Sequence, residues 1–276
     1  TVKPTEEPIY KPEPDTLESD TIPVFYAYSL NRTNIYASPD SDSDLLGIFA
    51  QDRYFELISC DNLDYCIIDY YGRDGYVSKN DIVPIERRII NMPMIAKGYL
   101  PKKAPIYETK ELDQTDNILE KLEFVEIYKE YEDCYLVETI DYVGYVKKED
   151  VKILEGTMVV IDRSSQEMKL YEDNEMTIKT PVVTGTRNTS RESDLGLFTV
   201  HTKAKNLYII PNYWVDCVAY YNGGEGIHTA EWRTEWEFGG DTYLTNGSHG
   251  CINTPHDEAM YIYDAMPKGN KVLVKE

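Results

Sequence analysis

Two stretches of the chain, DYCIIDYYGRDGYVSKNDI at 64–82 and DCYLVETIDYVGYVKKEDV at 133–151, align without a gap at an offset of 69 residues. Self-similarity of this kind means that one supersecondary unit is built twice, since both copies must bury the same apolar positions. Gly75, Tyr76, Val77, Lys79 and Asp81 fall on Gly144, Tyr145, Val146, Lys148 and Asp150, and upstream Ile35 and Tyr36 match Ile106 and Tyr107. Each copy consists of short Tyr/Ile/Val-rich runs broken by Asp, Asn, Gly and Pro, which is a strand pattern. The expected organisation is a Pro/Glu-rich linker (1–22), two small barrels (23–86 and 91–154) and a third domain (155–276), all mainly β.

Charge narrows the function. The chain's 28 Lys plus Arg against 49 Asp plus Glu leave a net charge of -21 over 276 residues. An excess of acid this large gives no electrostatic reason to bind nucleic acid or an anionic membrane. No apolar run approaches the roughly 20 residues of a membrane-spanning helix. The opening segment TVKPTEEPIYKPEPDTLESD reads as an extended tether, with an anchor or export signal expected upstream of Thr1. Cysteines at 60, 66, 134, 217 and 251 fit neither a dense disulfide framework nor paired zinc motifs, and their odd number leaves at least one thiol free. Cys60 and Cys66 flank a short turn and could bridge a hairpin; they are expected to be unpaired.

The chemistry lies in the C-terminal third. Strand candidates MVVIDRSSQEMKLYEDNEM, IKTPVVTGT and LGLFTVHT precede one helix signal, with Thr254 as N-cap, Pro255 at the first helical position, Ala259, Ile262, Tyr263 and Met266 on one face, and Pro267 ending it. Just before that helix stands Ser248-His249-Gly250-Cys251-Ile252-Asn253, with Gly226-Ile227-His228 upstream. A thiol with a reference pKa of about 8.5 needs a base, a cation or a helix N-terminus to act as a nucleophile at neutral pH. Cys251 has two histidines and a predicted helix start nearby, and the amides of Gly250 and Cys251 could hold a developing oxyanion.

These residues resemble the signature of YkuD-family L,D-transpeptidases, with Val183-Thr184-Gly185 and Gly196-Leu197-Phe198 agreeing further, so the resemblance spans about 155–276. The two repeats resemble bacterial SH3-like domains, which either hold wall peptide or glycan or serve as spacers. Nineteen residues separate His228 from Ser248, at the long end of the family's range, and Ser193-Asp194-Leu195-Gly196 replaces its common Thr-Pro-x-Gly. The resemblance implies Cys251 as nucleophile, His228 as base held in one tautomer by a backbone carbonyl, and His249 and Ser248 shaping the pocket, with Asn253 expected to fix the loop before the helix.

It also implies an extracellular location facing the cell wall, and a reaction. A thioester forms on the third residue of a peptidoglycan tetrapeptide stem, D-Ala leaves, and an amine of a second stem resolves the thioester as a 3→3 cross-link. No cofactor is implied, and a covalent carbapenem adduct is expected. An L,D-carboxypeptidase using water, and a wall-binding protein without activity, are the alternatives; a zinc site of His228, His249 and Cys251 is a third reading of the same residues. Tyr213, Trp214 and Tyr220 are expected beside the substrate, with 230–247 as a flap. His201 and His256 read as surface or packing residues. Asp216-Cys217 matches the Asp-Cys of NlpC/P60 wall peptidases, but Val218-Ala219 replaces the Ser-Gly that should follow, so Cys217 reads as core.

Overall fold

The computed structural model describes residues 20–276 apart from Leu63 and Pro211. The expected linker lies outside the described residues as far as position 19, and the first strand, Thr21–Ser29, starts two residues before the expected boundary. It pairs antiparallel with Ile82–Ile90 along its whole length, carrying the first unit four residues past its expected end at 86.

The repeat recurs strand for strand. Tyr65–Asp69 and Asp74–Ser78 form a hairpin followed by a 3-10 turn at Lys79–Asp81. Cys134–Glu138, Val143–Lys147 and Lys148–Asp150 repeat it. The shared glycine has a steric cause: a Cβ on Gly75 would lie 2.7 Å from Ile35 Cγ2, and one on Gly144 would lie 2.6 Å from the Tyr107 carbonyl and 2.8 Å from Ile106. The matched Ile and Gly thus pack on each other in both copies. Cys60 and Cys66 form a disulfide, contrary to the expectation of free thiols. Tyr54–Ser59 pairs antiparallel with Tyr65–Asp69, so their connection brings the two cysteines side by side.

The C-terminal unit has two sheets. The first comprises β1 (Met158–Asp162), β2 (Glu167–Glu172), β3 (Glu175–Pro181), β4 (Gly196–Thr199) and β9 (Lys271–Lys275), in the order β3-β2-β1-β9-β4. The second comprises β5 (Thr202–Ile210), β6 (Tyr213–Asn222), β7 (Glu225–Thr229) and β8 (Ile252–Thr254), in sequence order. A short helix α1 (Tyr243–Asn246) precedes β8, and α2 (His256–Ala265) follows it. Val159, Ile161, Met168 and Leu170 from the first sheet share one core with Ala219, Ile227 and Ile252 from the second and with Ile262 and Met266 from α2 and its cap. The helix starts one residue later than predicted: Pro255 is the N-cap, because Thr254 stays extended to pair with Thr229.

The units are joined by apolar and charged contacts. Phe124 and Leu154 pack on Met158, Val160, Tyr171 and Leu273, and Ile90 packs on Cys134, Leu136 and Tyr145. Lys275, 5% exposed, reaches Asp162 at 2.8 Å and Glu123 of the second unit at 3.2 Å. Arg53 of the first unit meets Glu167 at 3.3 Å with both side chains buried. Removing one partner of such a buried group strands the others in a poorly solvated site. Lys275→Met should therefore cost about 3–5 kcal/mol in a urea titration, whereas a loss under about 1 kcal/mol would show that water reaches these carboxylates.

Candidate active site

Parallel pairing of β7 and β8 sets His228 directly beside Asn253. His228 is 1% exposed, and its Nδ1 lies 2.7 Å from the Thr229 carbonyl, to which it must donate. Nε2 is thereby left as the acceptor nitrogen, and the Asn253 amide donates to it at 3.2 Å. Burial pulls the imidazole down to about 4, with the Arg233 charge adding to the effect and the Thr229 bond opposing it.

Cys251 follows a tight turn and is half-buried. Its thiol donates to the Gly224 carbonyl at 3.5 Å. Burial pushes it up to about 11, opposed by the Gly226 amide and reinforced by Glu225. Thiol and imidazole are therefore both neutral across the physiological range. The expected help from a helix N-terminus is absent: β8 separates Cys251 from α2, so the positive helix end begins beyond a strand.

The turn itself is pinned. Ser248 Oγ accepts the Gly250 amide at 3.0 Å and donates to the Cys251 carbonyl. Of the two amides expected at an oxyanion, that of Gly250 is thus already occupied. Gly250 has φ +110, where an L side chain is strained, and a Cβ there would lie 2.9 Å from Glu225 Oε1. Ser193 Oγ donates to the Gly250 carbonyl at 2.8 Å and accepts the Gly185 amide at 3.0 Å. Asn253 lies within β8, where its amide caps His228 and its Oδ1 accepts from Arg233 of the 230–247 segment.

His228, Cys251, His249, Ser248, Asn253 and Tyr213 line a cavity of ≈ 250 Å³, with His249 exposed at its surface. Tyr213 packs on Trp232 with ring centroids 4.6 Å apart. Trp214, one residue on, does not line the cavity, because alternation along β6 turns it away; its indole donates to Asp216 and packs on Tyr208. Tyr220 also lies outside the cavity lining, although it is close enough to feel the charge of Cys251. The 230–247 segment supplies Trp232, Arg233, Glu237 and Asn246 to the cavity wall.

His228, His249 and Cys251 do not gather their ligand atoms as a metal site would; among the described residues that grouping occurs only for Asp216, Glu231 and His256, where His256 pairs with Asp216 at 3.1 Å. His201 is exposed, and Cys217 is fully buried with its thiol on the Ala259 carbonyl. Sequence reasoning missed Arg233, Ser193 and Glu225. For Arg233 a signal existed: Thr234 and Glu237 form a capping box around a 3-10 turn, which marks an ordered segment.

Residues 156–274 match the family model described as the L,D-transpeptidase catalytic domain, YkuD. The catalytic domain of the E. faecium L,D-transpeptidase is 30% identical over 44% of this chain and 98% of its own length, with a TM-score of 0.40. The same domain acylated by ertapenem is also 30% identical over those shares, with a TM-score of 0.39. A Stackebrandtia nassauensis L,D-transpeptidase (Yku) is 24% identical over 44% of this chain, which spans 56% of that protein, with a TM-score of 0.38. None of the curated proteins matches. The 30% identity, spanning nearly the whole E. faecium domain, decides the family.

The chain belongs to the YkuD L,D-transpeptidase family.

In this family member the raised thiol sets a pH dependence. Deprotonation populates the reactive form, so iodoacetamide labelling of Cys251 should climb with pH up to about 11. A plateau below pH 8, followed by peptide mapping, would reveal a preformed ion pair instead.

Proposed function

We propose that this chain is a peptidoglycan L,D-transpeptidase working outside the cell, with Cys251 as nucleophile and His228 as base. The observation that carries the reading is that both side chains line one cavity while the Thr229 carbonyl keeps His228 Nε2 as a proton acceptor. Nε2 takes the proton of Cys251, and the thiolate attacks the carbonyl of the third residue of a tetrapeptide stem. The tetrahedral intermediate collapses, the C–N bond breaks, and D-Ala leaves with the proton that Nε2 returns, so a thioester remains. An amine of a second stem then attacks the thioester, loses a proton to Nε2, and releases the thiol with a 3→3 cross-link formed. His249, exposed at the rim, and Tyr213 contact the stem in this scheme.

The Cys60–Cys66 disulfide supports an oxidising, extracellular location. The two N-terminal repeats serve as SH3-like modules that keep the catalytic unit at the wall.

Incubation with a disaccharide-tetrapeptide, read by mass spectrometry, tests the reaction. Acyl-enzyme and cross-linked dimer are expected, while tripeptide without dimer would assign a carboxypeptidase. Cys251→Ala should abolish the acyl-enzyme, and His228→Ala should slow its formation by roughly two to four powers of ten, with His249→Ala milder. Substantial turnover by a folded C251A protein would sink the assignment.

The ertapenem-acylated E. faecium domain supports a β-lactam test. A carbapenem should open its ring on Cys251 to give one adduct, blocked by prior alkylation and unaffected by EDTA. Labelling at Cys217 would place the site elsewhere.

A further inference from the structure

We propose that Arg233 is a positioning residue that holds Asn253 as a cap on the His228 base, withholding that base from Cys251 until the 230–247 segment moves. The inference rests on the roles given above to Cys251 and His228. The proton directions are forced from both ends. A guanidinium can only donate, so Asn253 Oδ1, 2.7 Å from Arg233 Nε, must accept. His228 gives its Nδ1 hydrogen to the Thr229 carbonyl, so Nε2 must accept, and the Asn253 amide nitrogen meets it at 3.2 Å. Only one orientation of the Asn253 amide satisfies both neighbours. The lone pair that would receive the thiol proton is therefore taken, and the Cys251 thiol donates elsewhere, to the Gly224 carbonyl.

Arg233 ties this cap to the segment that covers the site. Its Nη1 pairs with Glu237 at 3.3 Å, its Nη2 donates to the Asn246 carbonyl at 3.0 Å, and its side chain is 5% exposed. That segment is backed in turn by the first unit: Glu235 pairs with Arg73, Asp241 with Arg32 at 2.5 Å, and Gly240 fits against the Ile48 carbonyl with no space for a Cβ. A stem seated beneath the segment displaces Arg233, which frees the Asn253 amide to rotate. Nε2 then exchanges the N–H of Asn253 for the S–H of Cys251, and the proton passes from sulfur to nitrogen. The charged and titratable groups facing this pair are Arg233 with Glu237 from the segment, Tyr213 from β6 and Glu225 from β7.

The test measures iodoacetamide labelling of Cys251 in the full chain by peptide mapping at pH 7 and pH 10, for the unaltered protein, Arg233→Met, Arg233→Lys and Asn253→Ala. Losing a hydrogen bond of this charge-assisted kind should raise the pH 7 rate about ten-fold in R233M. N253A should show the same rise, and R233K a smaller one. At pH 10 the rates should converge, since the thiolate then forms without the base. The double variant R233M/N253A should exceed neither single one. A merely structural role would loosen the site and speed labelling equally at both pH values. That outcome, or unchanged profiles, would overturn the proposal, and N253A decides the matter if R233M does not fold. Failure of Cys251 to label in any variant at pH 10 would instead refute the assignment of the nucleophile on which the proposal rests.

Discussion

The ammonium of Lys275 is buried between Asp162 and Glu123, and the seating of the second unit on the C-terminal one depends on it. Lys275 ends β9, which pairs parallel with β1 on one side and antiparallel with β4 on the other. The last residues of the chain thus form an interior strand of the first sheet, and the C-terminal unit closes only when they are in place. Asp162 shows how the charge is held: burial pushes its carboxyl up, but Lys275 and hydrogen bonds from Ser165 and Ser164 outweigh this and bring it to about 2. Glu123, with fewer donors, is raised by the same burial. One cation therefore serves two carboxylates unequally, and the one that it serves less well belongs to the neighbouring unit. A buried charge tolerates little displacement, so this contact fixes the second unit on the catalytic one more sharply than apolar packing would.

From that frame the site inherits two rigid strands and one tight turn that only glycine fits. β7 and β8 are parallel neighbours, and the register that pairs Ile227 with Ile252 leaves no freedom in where His228 and Asn253 meet. The turn before β8 is held by Ser248 from within and Ser193 from β4's approach, both acting on the Gly250 peptide. Rigidity here has a chemical price in the resting protein. Burial disfavours charge on sulfur and on imidazole alike, raising one group and lowering the other. In the proposed reaction the nucleophile is therefore generated only when substrate arrives, by movement of the thiol proton to Nε2.

Much of this was legible in the sequence because it depends on local pattern. The 69-residue offset maps onto equal strands and equal 3-10 turns, since Gly75 and Gly144 answer the same packing demand from Ile35 and Ile106. That His228, Ser248 and Cys251 gather around one cavity was readable from residue type and spacing. Trp214 was misplaced because aromatic richness says nothing about which face of β6 a ring occupies; Tyr213 and Trp214 leave opposite sides of one strand. Cys60 and Cys66 join through strand pairing that no six-residue spacing announces. Arg233 and Ser193 act through partners 20 and 57 residues away along the chain, so only the fold brings their roles into view.

The first unit would count as a mere spacer if its contacts ended at the joint around Arg53 and Glu167. They do not. Its Ile48 carbonyl lies against Gly240, its Tyr71 hydroxyl approaches the position a Cβ would take on Gly239, and its Arg73 and Arg32 reach Glu235 and Asp241. All four contacts fall on the segment that walls the cavity, and none falls on β7 or β8, which carry His228 and Asn253. Ion pairs this exposed contribute little to stability, so their effect lies in where they hold the segment rather than in how firmly the units adhere. A unit that touches the site at this wall alone sets where the wall stands without touching the strands that carry His228 and Asn253.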